Sequence, residues 1–167
     1  MAEVETTRAL LSMALQDLHD GERVLAERLP VVRDHARDEE FRRLIDEDRE
    51  RSVRQREVVA GIARALDAEP RDEPNIWLPA ILDDADDDAG TIAAGPLRDT
   101  ALVGALRKGK QSERVSYETA LALARRLGMD EAAETLKGIR DEEQAADDAL
   151  AQVLERLARE LPGESPK

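Results

Sequence analysis

The chain contains no cysteine, which removes disulfides, thiolate nucleophiles, zinc knuckles and cysteine-ligated iron–sulfur clusters together. The fold must hold without covalent staples. Aromatic residues are reduced to Phe41, Trp77 and Tyr117, and sheet-forming runs are missing. Histidine is limited to His19 and His35 and lysine to Lys108, Lys110, Lys137 and Lys167. No window approaches the roughly 18 apolar residues of a membrane span, and the N-terminal MAEVETTRALL lacks a basic segment followed by an apolar stretch. The expectation is a cytoplasmic protein with no membrane partner. Excess positive charge is also lacking: 25 Lys and Arg stand against 38 Asp and Glu, for a formal net charge of −13. Phosphate binding needs clustered cations, and here acids dilute each basic stretch, so nucleic acid is excluded as a partner. The acidic surface reads as a solubility feature.

What remains is rich in Leu, Ala, Glu and Arg, the residues of long helices. A chain of 167 residues suits one domain, placed at residues 1–160 with a polar tail at 161–167. From about Val4, Leu11, Leu15, Leu18, Leu25 and Leu29 recur at helical spacing. This first helix is expected to bend or weaken at Pro30 and to end near His35, whose position suits the helix dipole. Asp38 should cap a second helix running to about Leu66, with Phe41, Leu44, Ile45, Val59 and Ile62 on its apolar face. The short connection makes the pair antiparallel.

Between Ala68 and Gly95 the periodicity breaks into a stretch rich in Pro, Gly and Asp, with an apolar patch at Ile76, Trp77, Leu78, Ile81 and Leu82. It reads as a long crossover carrying a short helix near Pro79. Trp77 and Ile81 should be covered by the bundle or by a second copy of the chain, because an exposed apolar patch beside so many acids is a liability. The acidic run Asp83–Asp88 lacks the glycine and terminal glutamate of an EF-hand loop and is read as a solvated helix end. A third long helix starts at Pro96 and closes at Gly128; a fourth is capped by Asp130 and carries Leu136, Ile139, Leu150, Val153, Leu154 and Leu157. Two antiparallel helical hairpins joined by a long crossover with a short helix make an all-α, ferritin-like four-helix bundle.

Each helix also places an acid inside its apolar stripe: Glu22, Asp48, Glu113 and Glu143, the last better placed than Glu142. Glu22 stands 14 residues before Ala36 and Asp48 12 after it, while Glu113 stands 16 before Met129 and Glu143 14 after it. At about 1.5 Å per residue all lie roughly 18 to 24 Å from their turns and can meet at one level. Four carboxylates cannot stay ionised together in a low-dielectric core without cations. A metal pair ligated by Glu22, Asp48, Glu113 and Glu143 is one solution. Such centres use Glu-x-x-His on two helices, and here Arg51, Ser116 and Ala146 stand three residues after Asp48, Glu113 and Glu143. His19, one turn before Glu22, is a further candidate ligand. An all-oxygen set suits manganese, magnesium or calcium better than iron. The other solution is a buried ion-pair network in which Arg51, Arg114 or Arg140 reaches inward.

The run DLHDGERVLAERLP, with Asp17, Asp20, Glu22, Leu25, Leu29 and Pro30, resembles the opening of the YciF-like family of ferritin-like, stress-associated bacterial proteins of otherwise unknown function. The likeness continues through Ser52 and Gln55, through Glu113 and Tyr117 before LARRLG, and through DEEQAADDAL, covering roughly residues 8 to 155. The resemblance implies a homodimer and a di-metal centre of iron or manganese related to that of rubrerythrin. Members of the family often carry His where this chain has Asp48, and Leu and Glu where it has Arg49 and Arg51. The two readings are therefore a metal-binding, oxidoreductase-like protein with Tyr117 one turn from its site, or a metal-free structural bundle with a vestigial site. Whether the chain is an enzyme stays open.

Overall fold

A computed structural model describes residues 3–67 and 74–163. The start of the crossover at 68–73 and the end of the polar tail at 164–167 lie outside them. The helices are α1 (Thr7–His35), α2 (Glu39–Ala65), α3 (Trp77–Thr91), α4 (Pro96–Arg126) and α5 (Asp130–Glu160). Helices α1 and α2 form one hairpin and α4 and α5 the other, with α3 laid along α1 and α4. The described residues contain no strand.

The ends have local causes. Thr6 accepts a hydrogen bond from Ala9 N at 3.1 Å and so starts α1 at Thr7 rather than at Val4. Asp38 caps α2 by accepting from Phe41 N at 2.9 Å, and Arg156 of α5 reaches the same oxygen at 2.7 Å. Gly128 takes φ of 69° and reverses the chain between α4 and α5, a conformation that costs glycine least. The expected cap at Asp130 is displaced by one: Met129 occupies the cap position without a side-chain bond, and Asp130 is the first helical residue.

Pro30 does not break α1. A proline within a helix leaves the carbonyl four residues earlier without its donor. That carbonyl belongs to Ala26, and Arg49 of α2 donates its Nε to it at 3.2 Å. The hairpin partner thus satisfies the oxygen the proline orphans.

The acidic run is not a helix end, as expected from sequence, but part of the body of α3. Leu78, Leu82, Ala85 and Ala89 face the core, leaving Asp83 and Asp86 to pair with Arg28 of α1 at 2.9 and 2.7 Å and Asp84 to pair with Lys108 of α4 at 3.4 Å. The covered residues of the patch are Leu78 and Leu82; Trp77 and Ile81 are only half-buried, and Ile76 is 78% exposed. The bundle alone therefore covers the patch incompletely.

The docking of α3 explains the DLHDG segment of α1. Buried Asn75 donates its backbone N–H to Asp20 Oδ2 at 2.8 Å and its side-chain amide to Asp17 Oδ1 at 3.0 Å, while its carbonyl oxygen accepts from Leu78 N at 2.9 Å. Trp77 Nε1 donates to Asp17 Oδ2 at 3.2 Å. A Cβ on Gly21 would lie 3.0 Å from Leu78 Cδ1, tighter than nearly all such contacts, so the leucine would have to give way. Asn75→Ala removes these side-chain bonds and the cap they supply. It should cost about 2 kcal/mol, read as a lower urea midpoint by the fluorescence of Trp77, the sole tryptophan.

Candidate functional site: a lysine-centred carboxylate layer

Two apolar clusters fill the bundle. One joins Leu25, Leu29, Phe41, Ile45, Leu102, Leu106, Leu150 and Val153 with the inner face of α3; the other joins Leu11, Leu15, Leu18, Val59, Ile62, Leu121, Leu136 and Ile139 around Tyr117. Along each long helix the residues between these clusters are polar and buried: Glu22; Asp48, Ser52 and Gln55; Lys110 and Glu113; Glu143 and Asp147. The molecule has a polar layer across its middle, where two apolar half-cores are separated.

The cation in this layer is Lys110, which is 1% exposed. Its Nζ lies 2.8 Å from Asp48 Oδ1, 2.7 Å from Glu113 Oε2 and 2.8 Å from Glu143 Oε2, so one ammonium ties α2, α4 and α5 together. Glu22 supplies the fourth carboxylate from α1, accepting a short 2.6 Å hydrogen bond from the Tyr117 hydroxyl. Arg51 adds a second cation, a guanidinium 2.8 Å from Asp48 Oδ1, from the layer's edge.

All four acids expected to converge are thus within one layer. Of the three arginines considered as partners, Arg51 reaches it; Arg114 bonds Glu118 at 2.7 Å and Arg140 bonds Asp141, both away from it. His19 is outside too, accepting from Arg56 Nε at 3.3 Å beside a surface cavity shared with Ser12, Ala60 and Arg64. Burial and then the Arg56 charge hold its pKa below the ordinary value. Glu142 faces outward to Arg54 and Gln55.

Lys110 is the residue that sequence reasoning missed, although its position announces it. It falls four residues after Leu106 and three before Glu113, inside the stripe of α4. Asp147, one turn beyond Glu143, was also missed; it receives both Arg107 Nε at 2.7 Å and Gln111 Nε2 at 3.2 Å. Those bonds outweigh burial and lower its pKa.

The electrostatics follow from crowding. Burial would strip Lys110 of its proton, but Asp48, Glu113, Glu143 and Glu22 hold its pKa well above the ordinary lysine value. Burial pushes Glu22 up to about 8, with the Glu143 charge adding and Lys110 and Tyr117 opposing. Burial likewise holds Glu113 well above the carboxylate range against the pull of Lys110. The basic side chains Lys110 and Arg51 are the counter-charges this crowd of acids has within reach.

A ferritin-like bundle with four core carboxylates invites a metal pair, and the donor set can be tested against it. The point about 2.7–2.8 Å from three of the carboxylates is filled by Nζ, and the histidines that complete such centres are absent from the layer. Among the described residues no group of three or more His, Cys, Asp or Glu side chains could hold a metal ion. The shell with its lysine in place does not fit a metal pair.

The family described as "Domain of unknown function (DUF892)" matches residues 6–161. No curated protein matches the sequence. Among solved structures, the stress protein YciF of E. coli superposes with a TM-score of 0.90 at 21% identity, covering 95% of this chain and 100% of that one. YcfI of Rhodopseudomonas palustris superposes with a TM-score of 0.84 at 25% identity, covering 89% of this chain and 95% of that one.

Proposed function

This chain belongs to the DUF892 family of domains of unknown function, and we propose that it acts as a metal-free structural bundle in a bacterial stress response. The likeness to a stress protein supports the setting. The observation that carries the reading is the Lys110 ammonium among three carboxylates, because a buried ion-pair network holds helix register and specifies one packing without doing chemistry. Pairing as a homodimer belongs to the same proposal: Ile76 and Val115 are exposed and Trp77 half-buried around one side of α3 and α4, a surface that a second copy would cover. No helix among the described residues is long and apolar enough to cross a membrane.

The competing reading, a di-metal protein holding iron or manganese through Glu22, Asp48, Glu113 and Glu143, has in its favour that Glu22 Oε2 and Glu143 Oε1 are buried without hydrogen-bond partners. Elemental analysis of the wild-type protein purified without chelator separates the two. The structural reading expects well under one equivalent of manganese or iron and a melting temperature unmoved by either. A stoichiometric metal that raises the melting temperature on addition would retire it.

A further inference from the structure

We propose that the surface cavity between α1 and α2 binds a small organic monocarboxylate, with its apolar chain laid on the two helices and its charged head on arginine. The cavity lies outside the polar layer, and its occupancy does not depend on what neutralises the four core acids. Its volume is about 230 Å³. Buried Leu15, with Ala60 and Ala63, makes an apolar floor, and Ser12, His19 and Arg64 make a polar rim. At about 30 Å³ per water, the space takes about eight non-hydrogen atoms, the size of a carboxylate on a short carbon chain. The floor has a cause in the sequence. Because α1 and α2 are antiparallel, Arg8 meets Leu66 at one end of this stretch and His19 meets Arg56 at the other. Between those contacts α2 presents Ala60 and Ala63, whose side chains are too short to close the gap.

Charge selects the ligand. The chain carries a net −13, yet the described residues lining this cavity include no acid. Elsewhere on these two helices Arg23, Arg28, Arg33, Arg43 and Arg54 each end on a carboxylate. Arg64 is exposed at the rim and has no ion-pair partner among the described residues. Arg8 donates to the Leu66 carbonyl at 2.9 Å and Arg56 to His19 at 3.3 Å, neither of them to an acid. A guanidinium offers a carboxylate two parallel N–H donors, and the short chain of such an anion would leave water for the floor. The charged groups facing His19 are Asp20 and Arg23 on α1 and Arg56 and Glu57 on α2. A carboxylate added to this set opposes the arginines and raises the pKa of the imidazole.

Hexanoate, with about eight non-hydrogen atoms, is the probe. It is titrated into the full chain at low salt and followed by the amide chemical shifts of Ala60 and Ala63 and by the His19 ring. Hexanol and hexylammonium keep the chain length and change the head. Hexanoate should bind with a Kd of about 1 mM, about tenfold or more tighter than either control, and His19 should titrate at higher pH in its presence. Arg64→Gln should weaken hexanoate about tenfold. Ala60→Leu, which fills the floor without changing charge, should abolish binding while the melting temperature stays near that of the wild type. No shift in the wild type at about 20 mM hexanoate, equal binding of hexanol and hexanoate, or undiminished binding by folded Arg64→Gln or Ala60→Leu overturns the proposal. Finding a metal in the polar layer would retire the metal-free reading and leave these titrations unchanged.

Discussion

Lys110→Met is expected to cost about 3–5 kcal/mol at pH 8, among the largest effects of any single substitution in this bundle. The side chain is nearly isosteric, so little packing is lost, and the damage is electrostatic: Asp48, Glu113 and Glu143 lose the ammonium within 2.8 Å of each. Buried carboxylates without a cation escape by taking up protons. The cost should therefore shrink steeply toward pH 5, where protons are cheap to bind. Urea unfolding at pH 5 and pH 8 measures the difference. A loss equal at both pH values would point to packing and against the charge argument. Replacing Lys110, Asp48, Glu113 and Glu143 together by apolar residues of similar volume should restore most of the stability, since a buried network is costly mainly when broken on one side.

The second large effect is the wild-type response to pH, read through Glu22. Its pKa is raised from an ordinary value of 4.5 to about 8. An acid raised in the folded state keeps its proton where the unfolded chain has lost its own. Stability from this group is therefore full below pH 4.5 and declines between pH 4.5 and about 8, at a rate of at most about 1.4 kcal/mol per pH unit. Glu113, also raised, works in the same direction. His19, lowered from 6.5, works oppositely as pH falls below that value, and the lowered carboxylates of Asp38 and Asp147 lose their contribution as pH falls through 3.8 and below. The difference between wild type and Glu22→Gln isolates the group. The amide still accepts from Tyr117 and cannot ionise, so the variant should lose the decline and overtake the wild type above pH 8. Parallel stability curves for the two proteins from pH 5 to pH 8.5 would refute a raised Glu22.

Much of this was legible in the sequence because helices write their buried faces into residue spacing. The stripe residues of the four long helices, the cap at Asp38, the turn at Gly128 and the shared level of Glu22, Asp48, Glu113 and Glu143 all follow from local period and rise per residue. What stayed illegible depended on partners distant in the chain. Pro30 sits in an unbroken α1 because Arg49, in the next helix, reaches the Ala26 carbonyl. The run Asp83–Asp88 is helical, and Arg28 and Lys108 on other helices pair with its outer face. In the sequence Asp17 and Asp20 carry only a family resemblance; the fold shows them holding Asn75 and Trp77. Lys110 is a different matter, since its place in the stripe was readable. Counting charges of both signs at each buried level would have paired it with Glu113 and identified the cation.

Diffraction from wild-type crystals grown with excess manganese looks directly at what lies between the four carboxylates. Anomalous difference maps should show no peak within the layer, and the electron density should place Lys110 Nζ within hydrogen-bond distance of Asp48, Glu113 and Glu143. An anomalous peak among Glu22, Asp48, Glu113 and Glu143, with the lysine side chain displaced, would show a metal centre in place of the lysine-centred network.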